Sequence, residues 1–187
     1  MIPFLLFFYL SGEIAVYAIV FGSLILHELG HLGAAKLVGG KIYSCTILPY
    51  GGEIKIEQFS KWEKREQLVV IFGGPFATLL LLLLSLILHF PQVELLTYTQ
   101  LVILGLNLLP IYPLDGGRVI YSIFPNFYIE LVSFSLWISM LIFYTSLYYF
   151  PKGLFVSLIF LFIAIQNYSS WRFRKYKLAF DRMTKNA

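Results

Sequence analysis

The chain has 187 residues, 59% of them hydrophobic, 18% aromatic and only 13% charged, where a soluble domain carries roughly 25% charged residues. A chain of this length has too much surface for its volume to hide so much apolar material from water, which argues against a soluble globular, disordered or nucleic-acid-binding protein and for an integral membrane protein. The net charge of +4 does not revive the nucleic-acid class, because the basic residues sort by side of a membrane, and the single cysteine, Cys45, leaves no internal disulfide or thiolate cluster.

The first apolar run, Ile2 to Leu10, is short and is broken by Ser11-Gly12-Glu13. It lacks the basic start and the small-residue cleavage site of a secretory signal, so it reads as a short or tilted first span. Apolar runs of about twenty residues, each enough to cross a bilayer, follow at 14–38, 68–89, 95–113, 128–149 and 154–170. The predicted fold class is therefore an all-α polytopic membrane protein of about six transmembrane helices. A core over 1–170 is followed by a basic cytosolic tail over 171–187.

Between the second and third spans the pattern changes. Lys41 to Leu48 is β-branched and partly alternating, Pro49-Tyr50-Gly51-Gly52 reads as a turn, and Glu53-Ile54-Lys55-Ile56-Glu57 alternates strictly. This predicts a membrane-associated β-hairpin over 41–57. Residues 60–67 then read as a short interfacial helix with Ser60 as its N-cap and Glu63 completing a capping box.

Charge orients the spans. Lys41, Lys55, Lys61, Lys64 and Arg65 lie between the second and third, Arg118 between the fourth and fifth, and Arg172, Arg174, Lys175, Lys177, Arg182 and Lys185 in the tail. The opposite loops hold only Lys152. The positive-inside rule places these segments and both termini in the cytosol. The mixed aromatic and cationic tail from Trp171 to Lys177 reads as an anchor at the membrane surface.

His27-Glu28-Leu29-Gly30-His31 lies inside the second span. The i, i+4 spacing puts both imidazoles on one helical face, where they can share a metal, and Glu28 beside them can take a proton from water. A carboxylate in mid-membrane costs roughly 2.5–3.5 kcal/mol on insertion scales and so needs a function. A catalytic zinc takes a third protein ligand. His89, at the far end of the third span, reads as interfacial and distant from the pair. Cys45 reads as a small hairpin residue. Asp115 follows Pro110 and Pro113, which cannot continue a regular helix. It is placed either to ligate a metal from an unwound segment or to cap a helix over 117–124, and the two roles are compatible.

His27-Glu28-Leu29-Gly30-His31, followed by Asn107-Leu108-Leu109-Pro110-Ile111-Tyr112-Pro113-Leu114-Asp115-Gly116, resembles the paired signatures of the site-2 proteases, the intramembrane zinc metalloproteases. Leu48-Pro49-Tyr50-Gly51-Gly52 and Gly73-Gly74-Pro75 resemble further motifs of the stage IV sporulation protein FB type. The tail over 171–187 is too short for the CBS domain of that type. The resemblance implies one zinc per chain held by His27, His31 and Asp115, with Glu28 as the catalytic carboxylate. It also implies six spans in a bacterial cytoplasmic membrane.

The expected reaction is hydrolysis of a membrane-associated regulatory protein, such as a pro-sigma or anti-sigma factor, near the cytosolic face. Glu28 takes the proton of water and passes it to the leaving amine. Asn107 is the candidate oxyanion donor, with an interhelical hydrogen bond as its other reading. The 41–57 hairpin is expected to take the substrate as an added strand, and Gly73-Gly74-Pro75 to serve close helix packing. Sporulation relatives are restrained by membrane-protein partners, so an inhibitory partner is a further expectation. No nucleic acid is expected. Two other functions compete: a non-catalytic membrane scaffold, and a metal transporter using the His/Asp set. The transporter would need a polar path, and the Gln166-Asn167 pair, the main polar cluster of the last spans, reads as interfacial.

Overall fold

The computed structural model describes residues 14–48, 51–57, 59, 62–89, 91–151, 153–174 and 176. The expected short span at 2–10, Pro49 and Tyr50 of the expected turn, Ser60, and the tail beyond 176 lie outside them. The chain forms two compact units, Met1–Asn107 and Leu108–Ala187.

In the first unit, helix α1 (Ile14–Leu37) has 24 residues, a length of about 36 Å at 1.5 Å per residue, more than the roughly 30 Å hydrocarbon core of a bilayer. Its buried residues are Ser23, His27, His31, Ala34 and Ala35, while Leu26 and Leu29 are exposed. Polar and small residues inside with leucine outside reverse the order of a water-soluble helix, as a lipid solvent requires. The helix stops at Gly39, whose φ of 80° lets the chain fold back: Gly39 N–H donates to Lys36 O at 3.0 Å and Gly40 N–H to Ala35 O at 2.8 Å.

Strands β1 (Ile42–Leu48) and β2 (Gly51–Ile56) pair antiparallel, with Cys45 opposite Ile54 and Thr46 opposite Glu53. The register shifts between Ile42 and Ser44, which makes Tyr43 the extra residue of a bulge. The sheet has two strands, and β2 runs against α1.

Helix α2 (Lys64–Ile87) begins at Lys64 and takes Lys64 to Gln67 into the same helix as the apolar span. The expected separate helix over 60–67 is therefore corrected: Glu63 is the N-cap, and Glu66, not Glu63, closes the capping box, its Oε2 accepting the Glu63 N–H at 3.2 Å. The Glu at N3 of a cap box has to lie three residues past the cap, and moving the cap to Glu63 moves it to Glu66. Helices α1 and α2 touch at Gly30 and Gly73. A Cβ on Gly30 would stand 2.7 Å from Ala77 Cβ, and one on Gly73 would stand 2.7 Å from Ala34 Cβ. The small residues on both helices let the backbones meet.

Helix α3 (Val93–Asn107) has 15 residues. The expected span over 95–113 is thus corrected at its end: the helix stops at Asn107, before the first proline. Gln100, wholly buried, binds α3 to α1 by donating from Nε2 to Ser23 Oγ at 2.6 Å.

The second unit opens with an irregular stretch over 108–114. It continues through helix α4 (Asp115–Ile123), a 3-10 turn (Pro125–Phe127), helix α5 (Tyr128–Tyr148) and helix α6 (Leu154–Arg172). Helices α5 and α6 pack along each other, burying Leu131, Val132, Phe160, Ile163 and Ala164, while Trp137, Leu141 and Tyr144 are exposed. Serines let them approach: Ser146 Oγ and Ser157 Oγ are 2.7 Å apart. Asn167 is wholly buried, which corrects its reading as interfacial. Its side chain is needed inside the unit, as described below.

Three helices among the described residues, Ile14–Leu37, Lys64–Ile87 and Pro125–Tyr148, are long and apolar enough to cross a membrane, and Val93–Asn107 is a shorter apolar helix. The protein is predominantly helical, with spans of the kind an integral membrane protein requires.

Candidate metal centre

His27 and His31 project from the buried stripe of α1 toward α2 and are 3% and 6% exposed. Their i, i+4 spacing stacks them one turn apart. Helix α2 supplies a partner for each ring. Thr78 Oγ1 donates to Gly74 O at 3.2 Å and lies 2.8 Å from His27 Nδ1, which suits a ring hydrogen on Nδ1. His31 Nδ1 lies 2.8 Å from Val70 O, and a carbonyl oxygen only accepts. The Gly74 N–H is 3.2 Å from the same nitrogen, but the shorter contact to a carbonyl puts the proton on His31 Nδ1. In this arrangement both Nδ1 atoms carry hydrogen, and both Nε2 atoms are left with lone pairs.

Those two Nε2 atoms are 3.3 Å apart. Two buried lone pairs facing each other repel unless a proton or a cation lies between them. A tetrahedral zinc with Zn–N bonds of about 2.0–2.1 Å holds its two nitrogens about 3.3–3.4 Å apart. The pair fits zinc in tautomer and in spacing. His27 and His31 in the first unit and Asp115 in the second are each buried, and each carries an atom able to ligate a metal.

Gly74 makes room for the pair. A Cβ there would stand 2.7 Å from His27 Nε2 and would overlap His31 Nε2. Pro75 follows inside the helix and removes one backbone donor from this turn. The Gly73-Gly74-Pro75 motif thus does two jobs. Gly73 permits the helix crossing, as expected, and Gly74 admits the two imidazoles, which helix packing alone does not explain.

Glu28, half-buried beside His27 on α1, makes no hydrogen bond or ion pair among the described residues. It is free to take a proton. Asn107 closes α3, where its Nδ2 donates to Ile103 O at 3.0 Å. The interhelical bond weighed for it is not among its described contacts. Asp115 is 4% exposed and begins α4, with Leu114 as the N-cap. It sits in the first turn and is not itself the cap. Arg118 Nη1 is 3.7 Å from its Oδ1. His89 is exposed beyond the end of α2, and Cys45 lies in β1.

Thr78 and the Val70 carbonyl carried no recognisable sequence signal as imidazole partners. A threonine in a leucine-rich span is common, and a carbonyl has no letter. The available hint was spacing: Thr78 lies four residues after Gly74, on the same face of α2.

Residues 15–94 match the family profile described as peptidase family M50. Stage IV sporulation protein FB of Bacillus subtilis is 30% identical over 183 residues, covering 89% of this chain and 62% of that protein. A zinc metalloprotease of Methanocaldococcus jannaschii is 31% identical over 122 residues, 60% of this chain and 35% of that protein. The chain thus spans less than two thirds of the length of these curated relatives. Among solved structures, the site-2 protease from Methanocaldococcus jannaschii matches with a TM-score of 0.66 at 25% identity, over 85% of this chain and 78% of that one.

Proposed function

We propose that the chain is a member of the site-2 proteases, peptidase family M50, as its profile match and its relatives support, and that it hydrolyses a peptide bond of a membrane-associated regulatory protein near the cytosolic face. A pro-sigma or anti-sigma factor is the substrate class this reading favours, since stage IV sporulation protein FB is among its relatives. The observation that carries the reading is the pair of Nε2 atoms 3.3 Å apart, with each Nδ1 turned to an oxygen of α2, beside Glu28, which has no hydrogen bond or ion pair among the described residues.

His27, His31 and Asp115 hold one zinc ion in this reading. Bound there, zinc supplies Lewis-acid activation of water and of the scissile carbonyl. Glu28 accepts the proton of water and returns it to the leaving amine nitrogen. Asn107 Nδ2 spends one hydrogen on Ile103 O and offers its second to the developing oxyanion. Burial of His27 and His31 keeps bulk water from the reacting groups.

The substrate must be extended to be cut, because a helical peptide bond is enclosed by its own hydrogen bonds. The hairpin over 41–57, with β2 against α1, receives it as an added strand. The membrane arrangement that goes with this function is six crossings of a bacterial cytoplasmic membrane. Residues 1–170 form the protease core, a basic tail follows over 171–187, and both termini lie in the cytosol. A second membrane protein that restrains cleavage is the remaining expected partner. Metal analysis of the detergent-purified chain tests the site: about one zinc per chain in the wild type and sharply less in Asp115→Ala. A folded wild type that takes no zinc when supplied with it would defeat the reading.

A further inference from the structure

Asp115 follows a stretch without regular structure, and two prolines in that stretch have no N–H to hold it. Local bonds are few: Ile111 N–H donates to Leu109 O at 2.7 Å and Leu114 N–H to Ile111 O at 2.9 Å. Tyr112, three residues before Asp115, is fixed from outside. Its N–H donates to Ser135 Oγ of α5 at 2.9 Å, and its carbonyl accepts from Asn167 Nδ2 of α6. Its ring stands edge-on to Tyr128 and Tyr121, at 5.8 and 6.3 Å between centroids. Ser135 and Asn167 are both 0% exposed.

The orientation of the Asn167 amide follows from its neighbours. Nδ2 faces two carbonyls, Tyr112 O and Ile163 O, the latter at 3.0 Å. Its Oδ1 has no hydrogen-bond partner among the described residues. Turning the amide over would set oxygen against both carbonyls. The side chain thus leaves one buried acceptor unsatisfied, at a cost, in order to donate to Tyr112. The connection onward to Asp115 is short. A Cβ on Gly117 would stand 2.5 Å from the Ile111 carbonyl carbon and would overlap Tyr112 N, so the first turn of α4 rests on the residue that α5 and α6 hold.

We propose that Ser135 and Asn167 are positioning residues for the metal ligand Asp115, acting through the two backbone groups of Tyr112. This rests on the metal-centre reading given above. Side chains behind a ligand typically change metal affinity by about 10–100-fold. They do so by fixing a ligand before the ion arrives.

The test is zinc affinity of the purified full chain, measured by competition with a chelator. The set comprises wild type, Asn167→Asp, Ser135→Ala, Asp115→Ala, and Asn167→Asp and Ser135→Ala each combined with Asp115→Ala. Asn167→Asp keeps the shape and replaces the two amide hydrogens that face two carbonyls by one hydrogen when protonated and none when ionised. Ser135→Ala breaks the clamp from the other helix and carries the test alone if Asn167→Asp does not fold. Each single variant is expected to bind zinc about 10–100-fold more weakly. Neither is expected to weaken the residual binding of the histidine pair once Asp115 is gone. That absence of a further loss separates positioning from general damage to the fold. Undiminished losses in the Asp115→Ala background would overturn the proposal. Wild-type affinity in both single variants, with zinc lost from Asp115→Ala, would overturn it and leave the metal centre standing. Wild-type affinity in Asp115→Ala would instead remove the metal-centre reading and the proposal with it.

Discussion

His27 Nδ1 lies 2.8 Å from Thr78 Oγ1, and this bond decides which nitrogen of His27 faces the metal site. With the threonine hydroxyl donating to Gly74 O, its oxygen accepts from the ring and the proton stays on Nδ1. Thr78→Val keeps the shape and removes the acceptor. The ring is then free to turn or to move its proton to Nε2. Zinc affinity is expected to fall about 10–100-fold, and stability by about 1–3 kcal/mol for a buried donor left unpaired. Thr78→Ser should retain most of both. Chelator competition and thermal unfolding of the three proteins check this, and unchanged zinc affinity in Thr78→Val would rule the hydroxyl out of the site.

Gly74 and Gly22 are both helical glycines, and alanine should act oppositely at the two. A Cβ at Gly74 meets His27 Nε2 at 2.7 Å and runs into His31 Nε2, whereas one at Gly22 meets nothing within 4 Å. Gly74→Ala should displace the imidazoles and cost about 1–3 kcal/mol in overpacking, together with most of the bound zinc. Gly22→Ala should stabilise the chain by about 0.5–1 kcal/mol through helix propensity alone. Zinc content and unfolding of both variants decide the matter. Equal behaviour would mean that Gly74 is not pressed against the rings.

The two histidines were legible because their spacing matches the helical repeat and because charge inside an apolar helix demands a reason. Gly73-Gly74-Pro75 was legible as close packing, though its contact with the imidazoles depends on which face of α2 meets α1, and periodicity within one helix does not give that. The supports of Tyr112 were not legible. Ser135 and Asn167 lie 23 and 55 residues away from it in sequence, and they bind backbone atoms, which carry no residue identity. Asn167 was also misread through its neighbours: it adjoins Gln166 and the basic tail, which suggested the interface, while the helix turns its side chain inward. The early end of α3 shows a further limit. Hydropathy stays high through Leu108 and Leu109, but the prolines that follow cannot continue the helix.

Glu28→Gln isolates the chemistry from the structure. Glu28 has no hydrogen bond or ion pair among the described residues, so an amide of the same shape disturbs no contact. It cannot take a proton from water. Zinc content and thermal midpoint should match wild type, while cleavage of a verified substrate falls by at least about 10²–10⁴-fold, the usual contribution of a positioned base. Wild-type cleavage in the variant would assign proton transfer to another group.

The hairpin prediction separates capture of substrate from catalysis. A strand added to a sheet edge is held by backbone N–H and carbonyl groups, so its affinity is sensitive to a missing donor and nearly blind to side chains. Proline removes the donor. Placed singly from Glu53 to Glu57, it should weaken cleavage at alternate positions, where the lost N–H faced outward. At the intervening positions it breaks the β1–β2 ladder itself, in which Thr46 faces Glu53 and Cys45 faces Ile54. Loss of turnover with zinc content unchanged, following that alternation, is the expected pattern. Turnover at the wild-type rate throughout, in variants that fold and hold zinc, would show that the substrate is presented by some other part of the protein.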